Sequence, residues 1–299
     1  MTKIGKNLEM VAECPICGEK DRQHYLSCKD NTVSKIYFEI VECSKCSFAY
    51  TSPRPTENDL GWYYESEEYI SHSNTSKGIV SRLYQMVRKR TLGKKLQLIN
   101  SEGKNGLLLD IGCGTGEFLN TMTSDGWKTI GIEPSDSARK QGIENYKLDV
   151  RKEEELNNLQ PKSFDVITMW HVMEHVPHLD QRVKKLNELL KDDGVLIVAV
   201  PNRNSYDAAF YKENWAAYDV PRHLWHFRAQ DMKALMLNSG FEVKKILPMK
   251  FDSYYISMLS EKYKNGSGNL LAAMWRGWIS NRKAGSEGSS SLIYIIRKK

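Results

Sequence analysis

The chain has 299 residues, 40% of them hydrophobic, and a formal net charge of +6 from 43 basic and 37 acidic residues. This length predicts about two domains, and the apolar content is enough for a sizeable core. The N-terminus lacks an apolar signal region, and the strongest apolar run, residues 195–200, is too short to span a bilayer. We therefore expect a cytoplasmic protein, in which six cysteines indicate thiols or metal ligands rather than disulfides.

The first fifty residues contain two CxxC pairs, formed by Cys14 with Cys17 and Cys43 with Cys46. Two such pairs can offer four thiolates to one tetrahedral Zn²⁺ ion. The alternating residues 35–41 predict a hairpin arm between the pairs. We expect residues 1–52 to form a small zinc-ribbon-like element that a structural metal stabilises. Redox cysteines are the less favoured alternative, because a redox site needs only one pair.

Residues 53–102 predict a linker or lid that ends in a basic amphipathic helix. The linker part clusters four rings, at Trp62, Tyr63, Tyr64 and Tyr69. They either pack between domains or cover a ligand. Apolar residues at i, i+4 spacing predict a helix over 77–99. Residues 76–101 carry a charge of +7 with no acid, so the remainder of the chain sums to −1. This basic face is either solvated or attracts a phosphate-bearing substrate or RNA.

Residues 107–119 read LLLDIGCGTGEFL, which predicts a buried strand, a glycine turn and the start of a helix. Gly112 and Gly114 can take positive φ and let the backbone approach a ligand, and Gly116 lets the helix start close to the strand. The spacing is GxGxG, whereas dinucleotide sites have GxGxxG. Asp110 at the strand end would repel a pyrophosphate but suits a ligand that carries an ammonium group.

The next predicted strand, residues 129–133, also ends in an acid, Glu133. A carboxylate at this position can accept both hydroxyl groups of a ribose. Together with Asp110 it indicates an adenosine with a cationic amino-acid tail. In these residues the sequence resembles the class I S-adenosylmethionine (SAM) methyltransferases, whose first motif is D-x-G-x-G-x-G and whose next strand ends in an acid.

From residue 103 onward strands and helices alternate, which predicts an α/β, doubly wound sheet. Its seven predicted strands fit the seven-stranded, Rossmann-like methyltransferase sheet that the resemblance implies over residues 103–299. The predicted strands are 107–111, 129–133, 146–149, 164–169, 194–200, 242–248 and 291–297. The predicted helices are 116–125, 136–144, 151–159, 179–191 and 229–239. The resemblance implies that the last strand runs antiparallel. A short apolar helix at 270–279 is expected to pack in the core or in a homodimer rather than on a membrane.

The resemblance also implies further cofactor contacts. Asp149 follows the third predicted strand, where an acid meets the adenine amino group. Residues 174–176 match the family's EHV-like triplet after the fourth strand, which places Trp170 beside the methionine part of SAM. The stretch 171–175 also fits the inverted zinc-protease pattern HxxEH. We reject that reading because Pro177 removes the long helix that would carry the ligands.

The loop 201–228 is rich in aromatic rings and histidines and follows the fifth strand, where ligands are expected. Its end, residues 219–227, resembles the PRHL-HF signature of a bacterial subfamily that joins a four-cysteine element to this methyltransferase fold. His171, His223 and His226 are the candidate general bases, and His223 is favoured because Pro221-Arg222 fixes the backbone before it. Methyl transfer by alignment alone, without a base, stays open.

The predicted function is transfer of a methyl group from SAM to an oxygen or carbon of a small metabolite, with phosphorylated, anionic and sugar-type molecules among the candidates. The expected cofactors are SAM and a structural Zn²⁺. An RNA methyltransferase is the alternative, in which the zinc element and basic helix bind phosphates; nucleic acid is disfavoured because no recognised RNA-binding module is present. A non-catalytic SAM-binding protein is the third reading.

Overall fold

Strands and helices alternate through most of the computed structural model, which describes residues 7–64, 79–266, 269–283 and 287–299. The strands are β1 (Leu8–Glu9), β2 (Arg22–Lys29), β3 (Tyr37–Cys43), β4 (Ala49–Thr51), β5 (Arg54–Pro55), β6 (Leu107–Ile111), β7 (Lys128–Ile132), β8 (Val150–Arg151), β9 (Phe164–Trp170), β10 (Leu190–Pro201), β11 (Trp225–His226), β12 (Phe241–Pro248) and β13 (Ser291–Lys298). The α-helices are α1 (Glu57–Leu60), α2 (Ile79–Glu102), α3 (Glu117–Ser124), α4 (Asp136–Tyr146), α5 (Leu179–Leu189), α6 (Tyr206–Tyr211), α7 (Ala229–Asn238), α8 (Asp252–Asn265) and α9 (Leu270–Lys283).

A seven-stranded sheet in the order β12-β13-β10-β9-β6-β7-β8 forms the centre of the molecule. Only β13 runs antiparallel to its neighbours in this sheet, β10 and β12, while the remaining pairs are parallel. Residues 195–200 of β10 are fully buried, as expected for a continuous apolar strand that is covered on both faces. The predicted doubly wound α/β sheet with an antiparallel last strand is confirmed.

The third strand differs from the prediction. Helix α4 continues to Tyr146, Lys147 ends it with a φ of 58°, and β8 begins only at Val150. The strand predicted at 146–149 is therefore wrong, because the left-handed residue that closes this helix is a lysine and not the glycine that usually marks such a position. The helix predicted at 151–159 is a short 3-10 helix over Glu153–Asn158.

The segment between β12 and β13 forms a hairpin of the two helices α8 and α9. Helix α8 was not predicted, and α9 extends the apolar helix predicted at 270–279. The face of α9 that carries Gly277 packs closely against α8, since a Cβ at Gly277 would lie 2.7 Å from the Tyr254 side chain. Trp275 and Trp278 stack on each other and are exposed, so these two indoles are not core residues. Within the described ranges, no helix has both the length and the apolar character that crossing a bilayer requires.

The linker contributes both packing and a long helix. Tyr63 is buried, with its ring edge-on to Phe38 at 5.9 Å, which favours packing over a lid for this residue. Tyr69 and Lys77 lie outside the described residues. Helix α2 contains most of the predicted basic helix, and Lys89 and Arg90 are exposed on it.

The N-terminal sheet has the order β11-β4-β3-β2, and its β2–β3 hairpin contains the predicted arm. Its fourth strand, β11, comes from the loop 201–228, and Trp225 pairs with Tyr50. The rings of Phe48 and Trp225 stack 6.1 Å apart, and Phe227 lies 5.4 Å from Phe48. Rings that were expected to border a ligand therefore form the core between the N-terminal sheet and the central sheet.

Replacement of Trp225 by alanine should lower the free energy of unfolding by about 3–5 kcal/mol, because a buried indole leaves a cavity between the two sheets. Its Nε1 also loses a hydrogen bond to the Val176 carbonyl oxygen, at 2.6 Å. Trp275→Ala, which removes an indole that is 59% exposed, is the matched control and should change stability by less than about 0.5 kcal/mol. Equal losses in chemical denaturation would contradict this packing.

Candidate active site

A cavity of about 470 Å³ lies at the carboxyl ends of β6 and β9. The glycine turn after β6 forms one wall, together with Asp110 and Trp170. Helix α2 and the start of α8 also border the cavity, with Lys95 from the former and Asp252 from the latter. The carboxyl edge of a parallel sheet is where ligands bind in open α/β folds. The cavity therefore has the expected place of a cofactor site.

The three glycines of the turn all have positive φ, but they have different neighbours. A Cβ at Gly112 would lie 2.3 Å from Val172, and one at Gly116 would lie 2.6 Å from Leu148. Nothing lies within 4 Å of a Cβ at Gly114, which borders the cavity. Packing of the protein itself thus requires the outer glycines, whereas the middle one leaves open space for a ligand.

Asp110 presents a buried carboxyl group to the cavity. Its Oδ1 accepts a hydrogen bond of 2.6 Å from Thr168 Oγ1, and the residue is only 2% exposed. Burial raises the pKa of Asp110 to about 7, although Thr168 and Lys95 favour the charged form. A cationic ligand beside this carboxyl group would lower that pKa and would itself be stabilised.

Glu133 does not border the cavity but holds the glycine turn. Its two oxygens accept hydrogen bonds from the backbone N–H groups of Gly114, at 2.8 Å, and Ser135, at 2.9 Å. Burial raises the pKa of the Glu133 carboxyl group. Each carboxylate oxygen keeps a second lone pair, so this group can still accept a further hydroxyl group.

Lys95 is the one cation among the described residues that border the cavity. Its Nζ lies 4.0 Å from the ring centroid of Trp170. Burial lowers the pKa of Lys95 to about 8, against the opposing effect of Asp110 and Asp252. The sequence analysis treated Lys95 as part of a basic surface. Its helical spacing from Leu92, which also borders the cavity, was the available signal.

His171 lies between two carboxylates at the end of β9. Its Nε2 is 2.9 Å from Asp252 Oδ2, and its Nδ1 is 3.3 Å from Glu174 Oε1. Burial disfavours the imidazolium, but the two carboxylates more than offset this and raise the pKa of His171 to about 10. The ring is therefore protonated at neutral pH and cannot accept a proton. Asp252 follows β12 in a segment without family resemblance, and no sequence signal indicated it.

His223 and His226 are buried and do not border the cavity. Nδ1 of His223 donates to the Ala217 carbonyl oxygen at 2.8 Å. Nε2 of His226 lies 3.0 Å from Thr51 Oγ1, and burial holds the pKa of His226 well below its usual range. His223 thus joins two parts of the loop, and His226 holds the loop to β4.

Asp149 is exposed and also lies apart from the cavity-lining residues. Its Oδ2 forms an ion pair of 2.6 Å with Arg151 Nη2. The residue precedes β8 instead of following it, because the strand begins later than predicted. The structure thus brings Asp110, Gly112, Gly114 and Trp170 to one cavity, with Gly116 packed against Leu148, Glu133 behind the turn and Asp149 outside the cavity.

The four cysteines of the two CxxC pairs meet at the N-terminal sheet. Sγ of Cys14 lies 3.5 Å from Sγ of Cys46, the Cys17–Cys43 distance is the same, and all four sulfurs lie within 4.8 Å of one another. Tetrahedral zinc with Zn–S bonds of about 2.3 Å needs S···S distances of about 3.8 Å. Burial raises the pKa of the Cys46 thiol to about 11, so a cation is needed to hold it as a thiolate. These positions fit a zinc site.

Known proteins share this fold. The ubiquinone biosynthesis O-methyltransferase of Actinobacillus pleuropneumoniae serotype 7 (strain AP76) is 30% identical over 176 residues, which are 53% of this chain and 75% of that protein. The enzyme of the same name from Acinetobacter baumannii (strain AYE) is 27% identical over 159 residues, 48% of this chain and 67% of that protein.

Solved structures agree on the fold. A SAM-dependent methyltransferase from Archaeoglobus fulgidus aligns with a TM-score of 0.51 and 22% identity over 71% of this chain and 94% of its own. Magnesium protoporphyrin IX methyltransferase from Synechocystis PCC 6803 aligns with a TM-score of 0.52 and 13% identity, covering 79% and 97% of the two chains.

The sheet order, its single antiparallel strand and the glycine turn define a class I SAM-dependent methyltransferase. The family described as methyltransferase domain matches residues 84–246, and the chain belongs to this family. The protein is thus a SAM-dependent methyltransferase, as the resemblance implied.

Gly114→Ala should leave the fold nearly intact and weaken SAM binding, because its Cβ enters open space beside the cavity while the positive φ costs about 1 kcal/mol. Gly112→Ala should lower the melting temperature much more, because its Cβ clashes with Val172. Thermal unfolding and calorimetric SAM titration separate the two effects. Equal melting temperatures for the two variants would contradict the assigned roles.

Proposed function

We propose that the protein transfers the methyl group of SAM to a hydroxyl oxygen of a small molecule. The observation that carries this proposal is a single cavity with two chemically different walls. The glycine turn with Asp110 forms a wall suited to SAM, and the wall from α8 carries the ionised Asp252. The O-methyltransferase names of the two relatives favour oxygen over carbon as the acceptor atom.

The chain's own residues suit the parts of SAM. Asp110 would bind the ammonium group, and Lys95 would bind the carboxylate of the methionine part. Glu133 would accept the ribose hydroxyls, and Gly114 allows close approach of the ligand to the backbone. Trp170 presents its ring to a cation, as its contact with Lys95 demonstrates. When bound, SAM supplies an electrophilic methyl group on its sulfonium.

Asp252 is the residue that we propose to contact the acceptor. Burial raises its pKa, but His171 and Lys95 reverse this effect, and the pKa of Asp252 lies below its usual range. An ionised carboxylate can accept a hydrogen bond from a hydroxyl group and can take its proton as the methyl group arrives. Phe251 and Tyr255 border the same wall and offer apolar contact to the acceptor.

The candidate histidine bases fit this proposal poorly. His171 is already protonated, and it instead keeps Asp252 charged and oriented. His223 donates a hydrogen bond within the loop, His226 contacts Thr51 of β4, and neither ring borders the cavity. We propose that none of the three is the general base, and that only His171 is a positioning residue, because it pairs with Asp252.

The charged residues that border the cavity indicate whether the acceptor is anionic at its reacting end. Among the described residues, three acids border the cavity, Asp110, Glu117 and Asp252, but only one cation, Lys95. This excess of acid disfavours a phosphate at the reacting end of the acceptor and disfavours the RNA alternative. Any anionic group of the acceptor would lie outside the cavity, near the exposed Lys89 and Arg90 of α2.

Asp252→Asn should slow the chemical step by about 10²–10⁴-fold, because the acceptor loses its charged hydrogen-bond partner. SAM affinity should stay within a few-fold, since Asp252 lies on the acceptor wall. The measurement is single-turnover kinetics with an acceptor found by labelled-methyl mass spectrometry, with SAM affinity measured separately. His226→Gln, outside the cavity, is the control and should react at nearly the wild-type rate. Wild-type chemistry in Asp252→Asn would remove this role.

We also propose that Cys14, Cys17, Cys43 and Cys46 hold one structural Zn²⁺. The support is the mutual distance of the four sulfurs, which fits a tetrahedral ion. Cys46→Ser should lose one equivalent of zinc and unfold at a lower temperature. Cys28→Ser alters a buried cysteine outside this cluster and should keep the zinc. Elemental analysis would refute the site if both variants held the same amount.

A further inference from the structure

A second group of potential metal ligands lies between the end of β9 and the loop 201–228. Glu174, His175 and His223 each offer one ligand atom, and these atoms all lie within 4.8 Å of one another. The two imidazole rings approach each other edge to face, with their centroids 4.5 Å apart. Glu174 is fully buried, and His223 is nearly so. Two histidines and a carboxylate are a donor set that binds divalent transition metals.

Backbone carbonyl groups fix the tautomers of both histidines. Nδ1 of His175 lies 3.0 Å from the carbonyl oxygen of Arg222, and Nδ1 of His223 lies 2.8 Å from that of Ala217. A carbonyl oxygen can only accept, so each Nδ1 carries the proton. In the neutral ring the lone pair is then on Nε2. Metal-binding histidines are held in this way by a hydrogen bond from the other ring nitrogen.

A second contact holds the His175 ring in place. The Tyr64 hydroxyl oxygen also lies 2.9 Å from His175 Nδ1, which further restrains the ring. A neutral imidazole with a fixed proton on Nδ1 is the form that a metal ion requires.

Glu174 supplies an oxygen that lacks a partner. Its Oε1 faces His171 at 3.3 Å, but within the described part of the chain Oε2 has no hydrogen-bond partner. A fully buried carboxyl oxygen without a partner is costly, and a bound cation would satisfy it.

We propose that Glu174, His175 and His223 bind a divalent transition-metal ion, separate from the four-cysteine site. The ion would link the end of β9 to the loop 201–228 and would hold Glu174 in place behind His171. The nearest further acid, Asp219, has its Oδ2 3.9 Å from His223 Nε2 and is already paired with Arg222. The proposed site thus has three protein ligands.

This site explains part of the HxxEH match at residues 171–175. Its glutamate and second histidine are ligands, whereas His171 is held between Asp252 and Glu174. The third ligand comes from the PRHL stretch, some fifty residues further along the chain. No short-range spacing in the sequence could have indicated this set.

The test is metal content of the full chain, stripped with a chelator, reloaded with Co²⁺ and dialysed. Wild-type protein should hold two ions, and Glu174→Gln and His223→Gln should each lose one. Cys46→Ser should lose the other ion and with it the thiolate-to-cobalt absorption, which the Glu174 and His223 variants should keep. His226→Gln, a buried histidine of the same loop outside the cluster, is the matched control and should hold two ions.

The proposal is overturned if wild-type protein holds one ion that Cys46→Ser removes, or if Glu174→Gln and His223→Gln keep the wild-type content. One ion that disappears in Glu174→Gln and persists in Cys46→Ser supports this site and refutes only the four-cysteine one. Near-ultraviolet circular dichroism checks that each variant is folded. If a variant does not fold, the wild-type stoichiometry together with that of Cys46→Ser decides the question.

Discussion

The buried guanidinium of Arg222 joins three parts of the chain that are far apart in sequence. It forms an ion pair with Asp219 of its own loop, lies 3.6 Å from Asp30 of the N-terminal element, and donates to the Tyr63 carbonyl oxygen at 3.2 Å. Removing such a charge from water is costly unless its partners stay in place. The N-terminal element, the linker and the loop 201–228 must therefore be assembled together, around this one cation.

The contacts around Arg222 are connected to the cavity by a series of side chains. His175 donates to the carbonyl oxygen of Arg222 itself, and the neighbouring Glu174 contacts His171, which pairs with Asp252 on the cavity wall. Asp252 on the cavity wall is thus held from behind by His171 and, through it, by Glu174. The N-terminal element reaches this chain of contacts through Asp30, which lies beside Arg222.

Local patterns predicted the parts of the site that one stretch of chain determines. The glycine turn, Asp110 and the two CxxC pairs could be predicted because each function requires fixed residue types at short, fixed spacings. Lys95 and Asp252 could not be identified in this way, because they lie far apart in the sequence. Lys95 is in the helix before β6 and Asp252 is in the helix after β12, and only the fold brings both to the cavity. The choice of His223 as a base rested on the chemistry of imidazole and on the Pro221-Arg222 pair before it. The sequence does not show that His223 is buried or that its Nδ1 donates a hydrogen bond within the loop.

The transfer of an isotopically labelled methyl group from SAM tests the central claim most directly. Wild-type protein and Asp110→Asn would be incubated with labelled SAM and a fractionated small-molecule extract, and the products would be analysed by mass spectrometry. We predict a labelled methyl group on the hydroxyl oxygen of a small molecule with wild-type protein and far less of it with the variant. Label found only in RNA, or in no product while SAM binds normally, would contradict the account.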